Sequence, residues 1–135
     1  MKKMLLASIL ALSVTTVFAD PLDAIVQAQA VTALGYANQD ILLITNHHAT
    51  VTNNTDDMHV ITVWYKICAD NKGCNDEHHY KVKVNPHATW SDGMQLQMDE
   101  IYHNKGRYNL TATTTVTGEF GLNKTISDNN YIEIN

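Results

Sequence analysis

Seven histidines are the first chemistry this 135-residue chain offers. His47-His48 and His78-His79 are adjacent pairs, while His59, His87 and His103 stand alone. Neutral imidazole is the commonest protein ligand for Cu and Zn, so a metal centre is the sharpest chemical hypothesis. Adjacent residues on a strand point to opposite faces, so each pair offers one ring to a given site. A centre would draw on His59, His79 and one ring of His47-His48, with Met58 or Met94 assisting copper. No HExxH motif and no Cys-His cluster is present. Imidazoles in turns and solvent, with no resident cofactor, are the plainer reading.

The remaining reactive types point away from catalysis. Carboxylates occur as neighbours at Asp56-Asp57, Asp76-Glu77 and Asp99-Glu100. General acid–base work needs two carboxylates converging across a cleft, one of them desolvated. Neighbours in a polar turn are instead solvated charge. With Asn53, Asn54 and Asn75 the first four of these acids could hold calcium, but no EF-hand spacing supports it. Ser91 lies in Ser-Asp-Gly, and no Gly-x-Ser-x-Gly elbow or Gly-rich phosphate loop exists. The chain is therefore expected not to be an enzyme; an enzyme or an enzyme inhibitor is the third reading.

Recognition residues are easier to nominate. Lys81 and Lys83, with Lys66 and His79, can form a basic stripe on an acidic chain. Trp64 can join that stripe, and Trp90 sits in a polar stretch from which it can project as an anchor of the kind enriched at interfaces. The competing reading places both indoles at the ends of the core, since Trp is highly buried on average. The threonines from Thr111 to Thr117 are a solvated strand face, or an edge to which a partner's strand can add.

The elements that must position these residues centre on His59–Val84. Two runs rich in β-branched and aromatic residues flank a polar loop that carries the only two cysteines, Cys68 and Cys74. In an oxidising compartment the two pair. The loop they close has seven residues, for which chain entropy gives about 2.4 kcal/mol. A CxxxxxC redox or metal pair is the rival, at a wider spacing than such motifs use.

Ile61, Val63, Tyr65 and Ile67 look inward on the first run, and Tyr80, Val82 and Val84 on the second. A plain hairpin with Cys68 opposite Cys74 would put Lys81 and His79 on the face of Ile61 and Val63, because a one-residue slip exchanges faces. Either a bulge intervenes, or the two strands lie in different sheets and the disulfide braces the corner. The corner is the expected arrangement.

The first 19 residues read as a Sec-type bacterial signal peptide. Lys2 and Lys3 form its charged start, Met4–Leu12 its apolar part, and Val17-Phe18-Ala19 its cleavage site. No Cys follows the cleavage site, so a lipoprotein is not expected. Removing residues 1–19 leaves 116, one domain of ordinary size. The net charge moves from −5 to −7 as Lys2 and Lys3 leave, which argues against nucleic acid as a partner. No later stretch is apolar enough to span a membrane. A periplasmic or secreted monomer or weak oligomer is expected.

Residues 20–39 form an N-terminal segment in which Asp20-Pro21 and the spacing of Leu22, Ile25, Val26, Ala30 and Ala33 predict a short helix over 21–34. From 40 to 135 the signals are β. Asp40–Thr45 is a continuous apolar run, as in a strand buried on both faces. Residues 53–57 form a turn, 85–93 a loop, and Met94–Met98 a strand. Tyr108–Val116 alternates most regularly, residues 127–130 turn, and Tyr131–Ile134 closes the chain.

About seven short strands with regular turn signals argue for an antiparallel β-sandwich. The order of elements resembles the immunoglobulin-like superfold, and Gly106-Arg107-Tyr108-Asn109-Leu110 resembles the approach to a tyrosine corner. The chain lacks the inter-sheet Cys pair and flanked Trp of antibody domains, and the superfold implies no activity. Non-enzymatic binding of a protein or glycan, through Trp90, Trp64 and the neighbouring lysines, is the expected function.

Overall fold

The computed structural model describes residues 20–34, 40–69, 73–101 and 106–134. Seven strands follow one another: β1 (Leu22–Leu34), β2 (Asp40–Asn53), β3 (His59–Ala69), β4 (Gly73–Val84), β5 (Thr89–Ile101), β6 (Gly106–Gly118) and β7 (Asn123–Ile134). They form an antiparallel β-sandwich with sheet orders β1-β2-β5 and β4-β3-β6-β7. The fourth strand pairs with the third. It therefore lies in a different sheet from its counterpart in constant-type immunoglobulin domains. The leader assigned to residues 1–19 and the turn to which Tyr108 would bond back fall outside the described residues. Tyr108 itself is half-buried against the core.

Strict alternation builds the interior. On β3 every odd residue from Ile61 to Ala69 is buried, and on β6 the even residues Leu110, Ala112, Thr114 and Val116 are. Leu43, Val51, Val84 and Leu96 complete a core between the two sheets.

Four expectations change. Residues 22–34 are a strand, not a helix, and β1 belongs to the sandwich rather than to a separate N-terminal segment. Leu22, Ala24, Val26, Ala28 and Ala30 also recur at a period of two. Pairing with β2 from Leu22↔Asn53 to Leu34↔Ile41 selects that period and leaves Ile25, counted for the helical face, 66% exposed.

Secondly, β3 and β4 are neighbours in one sheet, not strands meeting at a corner. Their partners run from His59↔Val84 to Tyr65↔His78, then continue as Ile67↔Asn75 and Cys68↔Cys74. Two steps on β3 match three on β4, so a bulge resolves the conflict of faces. The Cys68–Cys74 disulfide is formed across that pair.

Thirdly, β5 begins at Thr89, so only Asn85–Ala88 form the turn expected over 85–93. Lastly, Ser127-Asp128-Asn129-Asn130 lies inside β7. Each of these turn-forming side chains finds a partner in the sandwich. Ser127 bonds Thr113 at 2.9 Å, and Asn129 accepts from Thr111 at 2.7 Å. Asp128 accepts from Ala30 N at 2.8 Å, and Asn130 donates to Ala30 O at 3.0 Å. The last two seal backbone groups of β1, the edge strand of the opposite sheet.

Asn53 fastens one end of the sandwich. It is fully buried, and its Nδ2 donates to Asp57 O at 2.8 Å and Val84 O at 3.0 Å. Its Oδ1 accepts from Thr55 N at 2.9 Å and Thr55 Oγ1 at 2.7 Å. One amide thus joins β2, the β2–β3 connection and the end of β4. Replacing Asn53 by Ala strands the buried Val84 O and three part-buried partners and should cost about 3 kcal/mol. Urea unfolding measures this, and a loss below about 1 kcal/mol would refute the assignment.

Candidate binding face

Strand registers place the nominated recognition residues. Outward positions of the four-stranded sheet align in rows across the strands: Lys81–Thr62–Thr117–Asn123, then His79–Trp64–Thr115–Thr125. Lys66 follows, in line with Thr113 and Ser127, and Lys83 lies beside Val60. Trp64, His79, Lys81 and Lys83 therefore share one face, as the bulge requires.

That face is partly pre-ordered. The Trp64 and His79 rings stack at 4.9 Å with planes 5° apart. A shallow depression beside them is lined by Trp64, Lys66, Thr113, Thr115, Thr117 and Asn123. Thr115 bonds Thr125 at 3.0 Å, continuing the ladder of Thr113–Ser127 and Thr111–Asn129. Such cross-strand pairs hold hydroxyls in fixed rows. Further along, Arg107 bonds Glu133 at 2.8 Å and its guanidinium lies 4.1 Å over the Tyr131 ring.

Trp90 is placed elsewhere. It lies in β5 opposite Val51, half-buried against the core, with its ring 6.4 Å from that of Tyr80. Inward parity of β5 at this position, invisible while 85–93 read as a loop, turns it toward the core.

The histidines nominated for metal do not converge. His79 stacks on Trp64. His59 sits at the sandwich end with Glu119 Oε1 at 2.5 Å and the Phe120 ring at 5.0 Å. His48 is on the outer face of the three-stranded sheet, its Nε2 3.1 Å from Ser91 Oγ. Its partner across the strands is Gly93, where an added Cβ would come within 3.2 Å of the imidazole. His87, at φ 56°, pairs with Asp56 at 2.6 Å. Among the described residues no three His, Cys, Asp or Glu side chains gather as a metal site would require. His103 lies outside the described residues, as do the side chains of Asp76, Glu77, Asp99 and Glu100.

His47 is inside the core. Its Nδ1 is 2.9 Å from Thr114 Oγ1 and its Nε2 2.7 Å from Thr45 Oγ1, both threonines fully buried. Thr114 Oγ1 donates to Gln27 O at 2.8 Å, so it accepts from Nδ1–H and the Nε2 lone pair accepts from Thr45. The Tyr65 ring lies 5.2 Å away. Burial pushes the His47 pKa down to about 4, helped by the charge of His78 and opposed by a backbone hydrogen bond at Thr113.

Tyr65 continues this buried polar chain. Its hydroxyl is 3.3 Å from that of Tyr80, which donates to Asp92 Oδ2 at 2.7 Å. Burial raises both phenol pKa values, so both remain protonated donors. Sequence reasoning counted Tyr65 and Tyr80 as apolar core. Their inward parity was visible, but the partner Asp92 was hidden in the apparent loop.

No known protein family and no curated protein matches the chain. Among solved structures, the Northeast Structural Genomics target SoR45 aligns at 10% identity and TM-score 0.42, over 81% of this chain and 85% of its own. A putative ApaA protein from Bordetella pertussis aligns at 13% identity and TM-score 0.36, over 84% and 94%. A β-glucosidase from Kluyveromyces marxianus aligns at 12% identity and TM-score 0.35, over 82% of this chain but 15% of the enzyme. At these scores the likenesses carry neither activity nor ligand to this chain.

His47 ties stability to pH. Its folded pKa of about 4 lies below the ordinary 6.5, so the unfolded chain takes up a proton first as pH falls. Its contribution is complete above pH 6.5 and is lost between about 6.5 and 4, amounting to about 3 kcal/mol. Urea unfolding at pH 7 and pH 4.5 should show a smaller acid loss for His47→Gln than for the natural chain. Equal losses would show that His47 titrates normally.

Proposed function

We propose that this chain is an exported, non-enzymatic recognition module that meets a macromolecular partner across the outer face of its four-stranded sheet. The observation that carries the reading is convergence. Trp64, His79, Lys81 and Lys83 are separated in sequence but share one face, beside a depression edged with hydroxyls. A stacked indole at a fixed orientation offers contact area at little further entropic cost. Export is supported by the leader-like first 19 residues and by the formed disulfide. Among the described residues no helix is long and apolar enough to cross a membrane.

Three hydroxyl–imidazole contacts invite comparison with a nucleophile and its base. Thr45, Thr114 and His47 are sealed in the core, and Thr114 accepts from the imidazole and donates to a backbone carbonyl, so no substrate reaches them. Ser91 contacts His48 on the opposite sheet, but its hydroxyl is shared with Thr50 at 3.0 Å. Among the described residues neither His47 nor His48 has a carboxylate partner to orient it as a catalytic base. A flat, pre-ordered face supports recognition better than reaction.

The test is a ¹⁵N chemical-shift screen of the purified protein against cell-envelope polysaccharides and charged polypeptides. Binding partners should shift amides of Trp64, Lys81 and Thr115 while leaving His48 and Ser91 still. A screen in which shifts gather on the three-stranded sheet, or in which no probe moves the Trp64 face, ends the proposal.

A further inference from the structure

We propose that the ligand of this face is an anionic polysaccharide, a polymer of uronic or sulfated sugars bound by the Trp64 depression and its flanking lysines. The inference rests on the recognition reading above and adds the ligand's chemistry.

Charge is the first argument. The chain carries a net −5. Among the described outward side chains of β3, β4, β6 and β7, however, the cations are Lys66, Lys81, Lys83 and Arg107, against Glu133 alone. Glu133 is already paired with Arg107. Lysines two positions apart on a strand are about 7 Å apart at the backbone, within a Debye length of about 8 Å at physiological salt. Among the described residues of this acidic protein, every Lys and Arg thus lies on a strand of that one sheet. Charge complementarity on such a patch selects a polyanion and speeds its approach.

The surface between the charges is the second argument, and it selects among polyanions. One side of the Trp64 ring is covered by His79, and the indole borders a depression whose remaining lining is Lys66, Thr113, Thr115, Thr117 and Asn123. A pyranose has a C–H face that packs on an indole and a rim of hydroxyls that exchange hydrogen bonds with Thr and Asn. The Thr113–Ser127 and Thr115–Thr125 contacts hold such hydroxyls in place before a ligand arrives. An acidic peptide would satisfy the lysines but not the hydroxyl rows. A nucleic acid would stack on Trp64 but would meet no second aromatic in the lining of the depression, whereas strand binders rely on a succession.

The experiment titrates purified protein with polygalacturonate, dextran sulfate, fully methyl-esterified polygalacturonate, polyglutamate and oligothymidylate, following amide shifts and affinity. At least one of the two anionic glycans should move the amides of Trp64, Thr113 and Thr115, and added salt should weaken it. Lys81→Gln/Lys83→Gln should lower that affinity about tenfold. Trp64→Ala should lower it about thirtyfold, and Trp64→Phe should recover part of the loss. The Gln pair leaves the core untouched, so its result stands even if the indole variants fold poorly.

Equal binding of the neutral methyl ester overturns the anionic inference and leaves the face standing. Preferential binding of polyglutamate or oligothymidylate does the same. If no polymer moves the Trp64 face, both this inference and the recognition reading fall.

Discussion

Everything on the four-stranded sheet depends on one extra residue in β4. A disulfide between Cys68 and Cys74 fixes one register, and the burial of Ile61, Val63 and Tyr65 with Tyr80, Val82 and Val84 fixes another. The two differ by one residue, and on a pleated strand one residue is the difference between core and solvent. The bulge between Tyr65 and Ile67 lets both hold. It also sets Trp64 against His79 and keeps Lys81 and Lys83 outside. The chemistry of the candidate face is therefore a by-product of reconciling a covalent bond with a hydrophobic core.

The interior is less purely apolar than its pattern suggests. Thr45, His47 and Thr114 form one buried polar group, and Tyr65 and Tyr80 lead from beside it to Asp92. Buried polar atoms are tolerated only when satisfied, and here the hydroxyls and imidazole satisfy each other. Because Thr114 also holds Gln27 O, the group ties β6 to β1 and β2 across the sandwich. Such contacts fix which residues face each other more sharply than aliphatic packing can.

Alternation made the central strands legible. Tyr108 to Val116 and Ile61 to Ile67 read as half-buried strands, and the pairing of the cysteines followed from spacing and compartment. Three of the four failures had a common cause. The segments 22–34, 89–93 and 127–130 carry small or polar residues whose local preferences are weak or point to helix and turn. Their structure is set by partners far away in sequence, as tertiary context overrides propensity. Ser127 to Asn130 looks like a turn until Thr113, Thr111 and Ala30 are placed beside it. The same limit hid the site. Trp64, Lys81 and Lys83 could be nominated from the sequence, but their shared face required the bulge. That Trp90 lies apart from that face, in the other sheet, was visible only once β5 was seen to start at Thr89.

The bonds from Asp128 and Asn130 to Ala30 join residues 98 and 100 positions apart. A ribosome therefore delivers Ala30 98 residues before Asp128. Until β7 emerges, the Ala30 amide and carbonyl stay bare on the rim of their sheet, where a neighbouring chain could add. A nascent chain that carries β1 but not yet β7 is thus the species that a chaperone must shield.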